Sequence, residues 1–166
     1  LYFTTPDNVK ATDCDGRTAL HYLAMGVKNQ HNAGDKILPI IHNFTTPDNV
    51  NVTDCEGRTV LHHLTIGMAV HPETTHRILP ILLYVKTAKN VNIKDNEKRT
   101  ALHHLAIGIE KQPNAVDTFL LIIKSLTTPE NVNDVDCDDR TALHYLTKGV
   151  ASQPSTAGKI VCLISD

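Results

Sequence analysis

The chain has 166 residues, with 18 acidic and 16 basic side chains and a formal net charge of −2 at pH 7. This near-neutral balance gives no electrostatic reason to expect nucleic acid or an anionic membrane as a partner. The longest apolar run, residues 78–85, is far shorter than the roughly 20 residues that a membrane span needs. We therefore expect no membrane insertion, and no signal-peptide pattern is visible.

A nine-residue block recurs four times, and successive copies begin 41 residues apart. The copies DCDGRTALH, DCEGRTVLH, DNEKRTALH and DCDDRTALH define a first, second, third and fourth unit and begin at Asp13, Asp54, Asp95 and Asp136. Such a period is typical of repeat arrays, in which each unit buries apolar surface only against its neighbours. We predict one array of about four units over residues 1–166. Residues 1–3 align with residues 83–85, so we expect a piece of a longer array, or one that continues end to end with copies of itself.

Each unit opens with a linking segment, which in the second unit is TTPDNVNVTD. Turn-forming residues surround a short extended stretch and predict a protruding, hairpin-like loop between units. Apolar residues at helical spacing then predict a first helix from about residue 58 to about residue 70. Pro72 marks a connection, and a second apolar helix follows. Eight helical segments in antiparallel pairs are therefore predicted.

Two residue types inside these helical patterns need a structural explanation. Pro39 and Pro80 lie within the second helix of their units, and proline is tolerated mainly in a first turn, so we expect the helix to begin close to them or to bend there. Glycine recurs near the end of every first helix, where it costs about 1 kcal/mol relative to alanine. Its recurrence indicates either a close helix contact or a left-handed cap at Gly26, Gly67, Gly108 and Gly149.

The block GRTALHYLA, together with the later NVNVTD, resembles an ankyrin repeat, whose signature is T-P-L-H-x-A. In every unit the threonine is followed two residues later by Leu and three residues later by His. The resemblance implies an all-α, helix-turn-helix solenoid with protruding hairpin-like loops and a glycine cap after the first helix. The chain differs in its period of 41 rather than about 33 residues, in Ala or Val after the threonine, and in extra residues between the two helices.

The resemblance also gives the recurring histidines a structural role. In the family, this histidine hydrogen-bonds the threonine hydroxyl of its own repeat and nearby loop backbone, which implies such bonds for Thr18, His21, Thr59, His62, Thr100, His103, Thr141 and His144. Adjacent histidines such as His62 and His63 point about 100° apart on a helix and cannot chelate one ion from one face. The next position, Tyr22, His63, His104 and Tyr145, suits a partly buried packing site. No metal or cofactor is expected.

Cysteine recurs at the same phase as Cys14, Cys55 and Cys137, with Asn96 in the third unit. A cysteine and histidine could act as nucleophile and base, but four equivalent active sites along one array are not expected, so we predict no enzymatic activity. Packed helices lie about 10 Å apart, too far for a disulfide. Reduced thiols favour an intracellular setting. An extracellular fibre stays open as an alternative, and only there would the sequons at Asn43 and Asn51 matter.

Two columns of charge remain as candidates for partner binding. One is acidic and the other, two residues later, is basic, and their members are Asp15, Arg17, Glu56, Arg58, Glu97, Arg99, Asp138 and Arg140. The resemblance places them on the concave side, where partners bind. The alternative interpretation is a solvated surface of mutually paired charges.

Two functions follow from the sequence. The first is a non-catalytic protein–protein interaction scaffold that binds a protein partner, which the family favours. The second is a structural rod or filament subunit formed by end-to-end stacking. It is favoured by near-identical units, by ends without a distinct polar sequence, and by a final helix whose apolar residues no following unit covers, namely Ile160, Val161, Leu163 and Ile164.

Overall fold

The structure is a computed structural model that describes residues 5–29, 34–112 and 115–165. Within these ranges the chain is all-helical and contains no β-strand. The α-helices are α1 (Pro6–Lys10), α2 (Ala19–Asn29), α3 (Gly34–Phe44), α4 (Val60–Val70), α5 (Thr75–Val85), α6 (Ala101–Lys111), α7 (Val116–Leu126), α8 (Ala142–Ser152) and α9 (Ala157–Ser165). None of these helices is both long enough and apolar enough to cross a bilayer.

The longer helices lie in two rows. The first row contains α2, α4, α6 and α8, and each helix after α2 packs against the helix 41 residues before it. The second row contains α3, α5, α7 and α9, which pack on one another in the same order. The two helices of each unit also contact each other. A continuous apolar core therefore runs between the rows from Leu20 to Ile160.

The first helix of a unit begins later than the sequence predicts. Helix α4 begins at Val60, two residues after the expected start, because Thr59 has an extended backbone with φ −88° and ψ 170° and serves as the N-cap. The helix ends at Val70, as expected, and Pro72 opens a single 3₁₀ turn, Pro72–Thr74. Proline suits this position because the N–H that it lacks would have no intrahelical partner there.

Of the two expectations for the second helix, a start close to its proline was wrong, and a bend at the proline stays a prediction. Pro80 is the sixth residue of α5, and Pro39 is the sixth residue of α3. Both prolines are exposed, and Leu121, at the same phase of α7, is 64% exposed. The rings thus lie on the side of the second row that faces away from the core. There water can bond the carbonyl group that loses its helical partner.

The linking segment is partly helical, which the sequence did not predict. It forms the short helix α1 in the first unit and the 3₁₀ turns Asn49–Asn51 and Asn90–Asn92 in the next two. The described residues therefore contain a ninth α-helix beside the eight predicted segments. The chain then extends at Val52, and the backbone N–H of Asp54 donates to the carbonyl of Arg58 at 2.9 Å. This bond closes a hairpin-like loop without forming a strand.

The recurring glycines are helical residues, so the expectation of a left-handed cap was wrong. Gly26, Gly67, Gly108 and Gly149 lie inside α2, α4, α6 and α8. A Cβ atom on Gly108 would lie 2.6 Å from the Cβ of Ala69, and one on Gly149 would lie 3.2 Å from the Cα of Glu110. The alternative, a close contact between helices, explains these two positions. The left-handed residues lie instead at the loop tips and are Gly16, Gly57, Lys98 and Asp139.

Candidate partner-binding surface

An aspartate organises the loop of each unit. In the second unit, one carboxylate oxygen of Asp54 accepts hydrogen bonds from the backbone N–H groups of Glu56 and Arg58, both at 2.9 Å. Its other oxygen accepts from Nε2 of His63 at 2.8 Å. A short acidic side chain that bonds its own downstream backbone is a common way to fix a tight turn. The same three bonds, with Tyr or His as the side-chain donor, recur around Asp13, Asp95 and Asp136.

Sequence reasoning missed the partner of that aspartate. Tyr22, His63, His104 and Tyr145 were interpreted as packing residues, but each donates to the aspartate nine positions earlier. The signal was present in the sequence, because the position alternates between two residue types that can both donate one hydrogen bond from a ring. Helix α4 and its counterparts thereby hold the loop of their own unit.

The histidine three residues after the threonine bonds in two directions. In the second unit the Thr59 N–H donates to Nδ1 of His62 at 3.1 Å, and the Thr59 hydroxyl lies 2.9 Å from the same nitrogen. The Nε2 atom of His62 lies 3.1 Å from the carbonyl oxygen of Arg99 in the third unit. The threonine contact that the resemblance implied is present in all four units. Since Nδ1 accepts the backbone N–H, the proton sits on Nε2, which donates to the next unit.

Burial keeps these imidazoles neutral. Burial and, to a smaller extent, the neighbouring His104 lower the pKa of His62 to about 4, against the opposing effect of the Arg99 carbonyl. Burial is also the largest cause of the lowered pKa values of His21, His63, His103 and His104. For Asp54, burial acts to raise the pKa, but hydrogen bonds from Arg58 and His63 outweigh it and the pKa is lowered. A carboxylate thus accepts from a neutral imidazole.

The histidines of adjacent units also meet in pairs. The rings of His21 and His63 lie 5.7 Å apart, and those of His62 and His104 lie 5.8 Å apart, both edge to face. No group of three or more His, Cys, Asp or Glu side chains in the described ranges is arranged to hold a metal ion. The ring nitrogens of His62 and His63 instead serve the internal bonds given above.

A column of buried asparagines joins the units on the side of the linking segments. Nδ2 of Asn90 donates to two carbonyls of the preceding unit, that of Val85 at 2.8 Å and that of Val50 at 3.3 Å. Its Oδ1 accepts from the Thr87 N–H at 2.8 Å. Asn49 and Asn131 repeat this pattern. The sequence signal was an Asn-Val pair at a fixed phase, which was interpreted only as turn composition.

The charged columns lie at the loop tips, and their members pair with each other. Arg17 lies 2.8 Å from Asp15, Arg140 lies 3.2 Å from Asp138, and Arg58 and Arg99 make the same pairs with Glu56 and Glu97. The Nε atoms of Arg58 and Arg99 also approach the organising aspartate of the next unit, at 3.7 and 3.3 Å. The arrangement matches the alternative interpretation, a paired surface.

An apolar strip runs beside these tips. Met25, Ile66 and Ile107 are partly exposed, and Lys148 follows them in the fourth unit. Each lies three residues after the Tyr or His that holds the loop, so it shares that face of its helix one turn further on. The loop tips and the first row therefore form one surface, which we call the inner surface.

The thiols of the tips are accessible. Cys14, Cys55 and Cys137 are exposed and form no disulfide. Backbone bonds join the tips directly, because the N–H of Cys55 donates to the carbonyl of Asp15 at 2.7 Å and the N–H of Cys137 to that of Glu97 at 3.0 Å. The tips thus form a continuous edge.

Neither a scan against protein-family models nor a search of curated proteins gave a match for this chain. The resemblance to ankyrin repeats therefore rests on the motif in the sequence.

Proposed function

We propose that the chain is a non-catalytic protein–protein interaction scaffold, an ankyrin-type solenoid that binds a protein partner on its inner surface. The observation that carries this proposal is the set of hydrogen bonds that the recurring histidine and aspartate side chains make. The recurring histidines and aspartates bond one another and the backbone inside the stack. These bonds hold a repeated surface in shape, which supports a structural role for the histidines and aspartates.

The inner surface has the composition of a contact site. Its strip of Met25, Ile66 and Ile107 offers apolar contact, and methionine adapts to varied partners. Charged pairs at the loop tips flank the strip and can discriminate between partners that carry different charge patterns. The free thiols at the tips support a reducing, intracellular compartment as part of the same proposal.

A displayed library of random peptides tests this proposal. Peptides selected on the wild-type chain are measured against Ile66→Lys and against Leu121→Lys, a matched change on the exposed side of the second row. We expect a loss of affinity of at least about tenfold for Ile66→Lys and no loss for Leu121→Lys, since a charge in an apolar contact costs more than about 1.4 kcal/mol. Selected peptides that respond only to Leu121→Lys would contradict the proposal.

A structural rod or filament subunit is the second candidate function. The observation that supports it is that the same hydrogen bond joins each unit to the preceding one, because the side-chain amides of Asn49, Asn90 and Asn131 donate to the carbonyls of Val9, Val50 and Val91. Units that join through the same contacts can form an open, head-to-tail assembly.

The final helix differs from its prediction. Ile160 is 1% exposed and belongs to the core, so its predicted exposure was wrong, because α9 packs on α7 and α8. Val161 is 57% exposed. The side chains of Leu163 and Ile164 lie outside the described part of the chain.

A further inference from the structure

The residue that holds the organising aspartate differs between units. His63 and His104 donate to it at 2.8 Å in the second and third units, and Tyr22 and Tyr145 donate in the first and fourth. Tyr145 is 4% exposed, so tyrosine fits this position inside the stack as well as histidine does. Histidine alone of the two takes up a proton near neutral pH.

This residue lies beside the histidine that bonds across the contact between two units. We number these contacts as the first, second and third junction. The rings of His21 and His63 are 5.7 Å apart at the first junction, and those of His62 and His104 are 5.8 Å apart at the second. At the third junction the partner position of His103 holds Tyr145. Within the described ranges, the first two junctions each bring together two of the recurring imidazoles, and the third has one.

The junction histidine uses both ring nitrogens in its neutral form. Nδ1 of His21 accepts the Thr18 N–H at 3.1 Å, and Nε2 lies 3.1 Å from the Arg58 carbonyl. A second ring proton would sit on Nδ1 and would face the N–H that this nitrogen accepts. Protonation of this ring therefore breaks the bond to the N-cap threonine. His62 and His103 make the same pair of contacts at the next two junctions.

The charged and titratable groups that face these rings come from the loop tips and from the neighbouring histidines. Around the first pair they are Arg17, Asp54 and Arg58; around the second pair Arg58, His63, Asp95 and Arg99; and around His103 they are His104 and Asp136. The aspartates favour a charged imidazole, and the arginines and neighbouring imidazoles oppose it. Burial is the largest effect on each ring and lowers the pKa of all five histidines. A closed junction thus excludes protons that its rings accept in water.

We infer that the first and second junctions are acid-sensitive contacts whose opening takes up two protons each, whereas opening of the third junction takes up one. A buried, neutral imidazole stabilises the closed junction above the pKa of about 6.5 that the ring has in water, and this contribution is lost as the pH falls below that value. The loop tips belong to the inner surface, so acid changes the shape of that surface over the first three units before it affects the fourth.

One backbone amide crosses each junction and reports its opening. The N–H of Cys55 donates to the Asp15 carbonyl at 2.7 Å, that of Asn96 to the Glu56 carbonyl at 2.9 Å, and that of Cys137 to the Glu97 carbonyl at 3.0 Å. Hydrogen exchange of these amides, followed by NMR in the full chain and corrected for the pH dependence of intrinsic exchange, gives the three opening constants. The series runs from about pH 7.5 to about pH 5, above the range in which ordinary carboxylates take up protons.

Between about pH 6 and about pH 5, two ring protons raise an opening constant by up to about 60-fold and one by up to about 8-fold. We therefore expect the larger rise at Cys55 and Asn96 and the smaller rise at Cys137. His63→Tyr should reduce the response at Cys55 alone, and His104→Tyr the response at Asn96 alone, each to the response of the third junction. Tyr145→His should give Cys137 the larger rise. His76→Tyr removes an exposed histidine of α5 and should change none of the three.

Equal responses of the three wild-type amides would overturn the inference. A flat response at all three means that the junctions exclude no proton, and an equally steep one means that the chain opens only as a whole. A larger rise at Cys55 and Asn96 that persists in the two tyrosine variants also overturns it. If circular dichroism shows that a tyrosine variant is unfolded at pH 7.5, Tyr145→His decides, because an unchanged response at Cys137 excludes the role of the second imidazole.

Discussion

At the scale of single residues, the histidine after each Thr-Ala-Leu or Thr-Val-Leu is both an acceptor and a donor. Nδ1 of His103 accepts the Thr100 N–H at 3.2 Å, and Nε2 lies 3.1 Å from the Asp134 carbonyl in the fourth unit. A neutral imidazole is the one side-chain ring that offers one acceptor nitrogen and one donor nitrogen on opposite sides. The residue thus caps its own helix and fixes the next loop.

His103→Ala should lower the free energy of unfolding by about 1 to 3 kcal/mol, because it leaves the Thr100 N–H and the Asp134 carbonyl unmatched. Thr100→Val, which removes the hydroxyl on the same nitrogen, should fall in the same range. His144→Ala is the control, since His144 is exposed and, among the described residues, its ring hydrogen-bonds only Thr141. Urea unfolding measures the difference. Equal losses for both histidines, or an equal loss when a chelator is added to the wild type, would argue against a structural role.

Acidification should destabilise the chain in two steps. The pKa of His62 falls from 6.5 in the unfolded chain to about 4 when folded. Above pH 6.5 neither the folded nor the unfolded state binds this proton. Below pH 6.5 the unfolded state binds it first, so the free energy of unfolding falls until about pH 4. The total loss is about 3 kcal/mol, at about 1.4 kcal/mol per pKa unit. The lowered pKa of Asp136, about 2 when folded against 3.8, adds a second loss below about pH 4.

Unfolding free energies from pH 8 to pH 4 check the first step. His62→Gln keeps a side chain that can bond the N-cap N–H but does not titrate. Its profile should therefore be shallower than that of the wild type, although its stability at neutral pH is lower. A wild-type stability that stays constant or rises between pH 7 and 4.5 would contradict the neutral, buried imidazole.

The Thr–His contact was within reach of the sequence, whereas the aspartate and asparagine networks were not. Hydrophobic periodicity classifies a position as apolar or polar, so the alternation of Tyr22 with His63 looked like packing. Tyr and His both carry a hydrogen-bond donor at a similar distance from the helix backbone. Its role becomes visible only when the position of Asp13 or Asp54 is known. Asn90 was assigned to a turn because its second acceptor lies in the preceding unit.

At the scale of the helices, the low helix propensity of glycine and proline disagrees with the positions at which packing places them. Local cost alone predicts that Pro80 begins a helix and that Gly108 ends one, yet both lie inside helices. The proline is tolerated because it faces away from the core. The glycine is required because α4 approaches α6 so closely that a Cβ would overlap Ala69. The existence and the order of the paired helices could be predicted from the sequence. The positions of the proline and the glycine within them could not, because these depend on a neighbouring helix.

Gly108→Ala and Gly158→Ala should change stability in opposite directions. Alanine is favoured over glycine in a helix by up to about 1 kcal/mol, and a Cβ on Gly158 in α9 would meet nothing within 4 Å. At Gly108 the new atom would lie 2.8 Å from the Cα of Ala69. To make room, α4 and α6 must move apart, which should lower the free energy of unfolding by about 1 to 3 kcal/mol. This loss exceeds the gain in helix propensity. Thermal unfolding of both variants decides; stabilisation by Gly108→Ala would show that α4 and α6 separate easily.

At the scale of the whole molecule, we expect the free energy of unfolding to depend mainly on the junctions between units. The core cluster runs the length of the stack, and each row helix contacts its neighbours in the row. In such a system the interface between units supplies much of the free energy, and a defect at one junction weakens both adjoining units. Repetition in the sequence predicted this organisation, whereas the groups that carry each junction became visible only when the units were placed side by side.

Asn90→Ala should therefore cost far more than Asn8→Ala, although the two residues occupy the same phase of their units. Asn90 is 0% exposed and bonds two carbonyls of the preceding unit, while Asn8 is exposed. Loss of the buried amide leaves the carbonyls of Val50 and Val85 and the Thr87 N–H unmatched, for a cost of about 2 to 4 kcal/mol. Asn8→Ala should stay within about 0.5 kcal/mol, as surface changes usually do. Urea unfolding at a concentration where the chain is monomeric measures both, and similar losses for the two variants would show that the asparagine column stabilises single units and not their junctions.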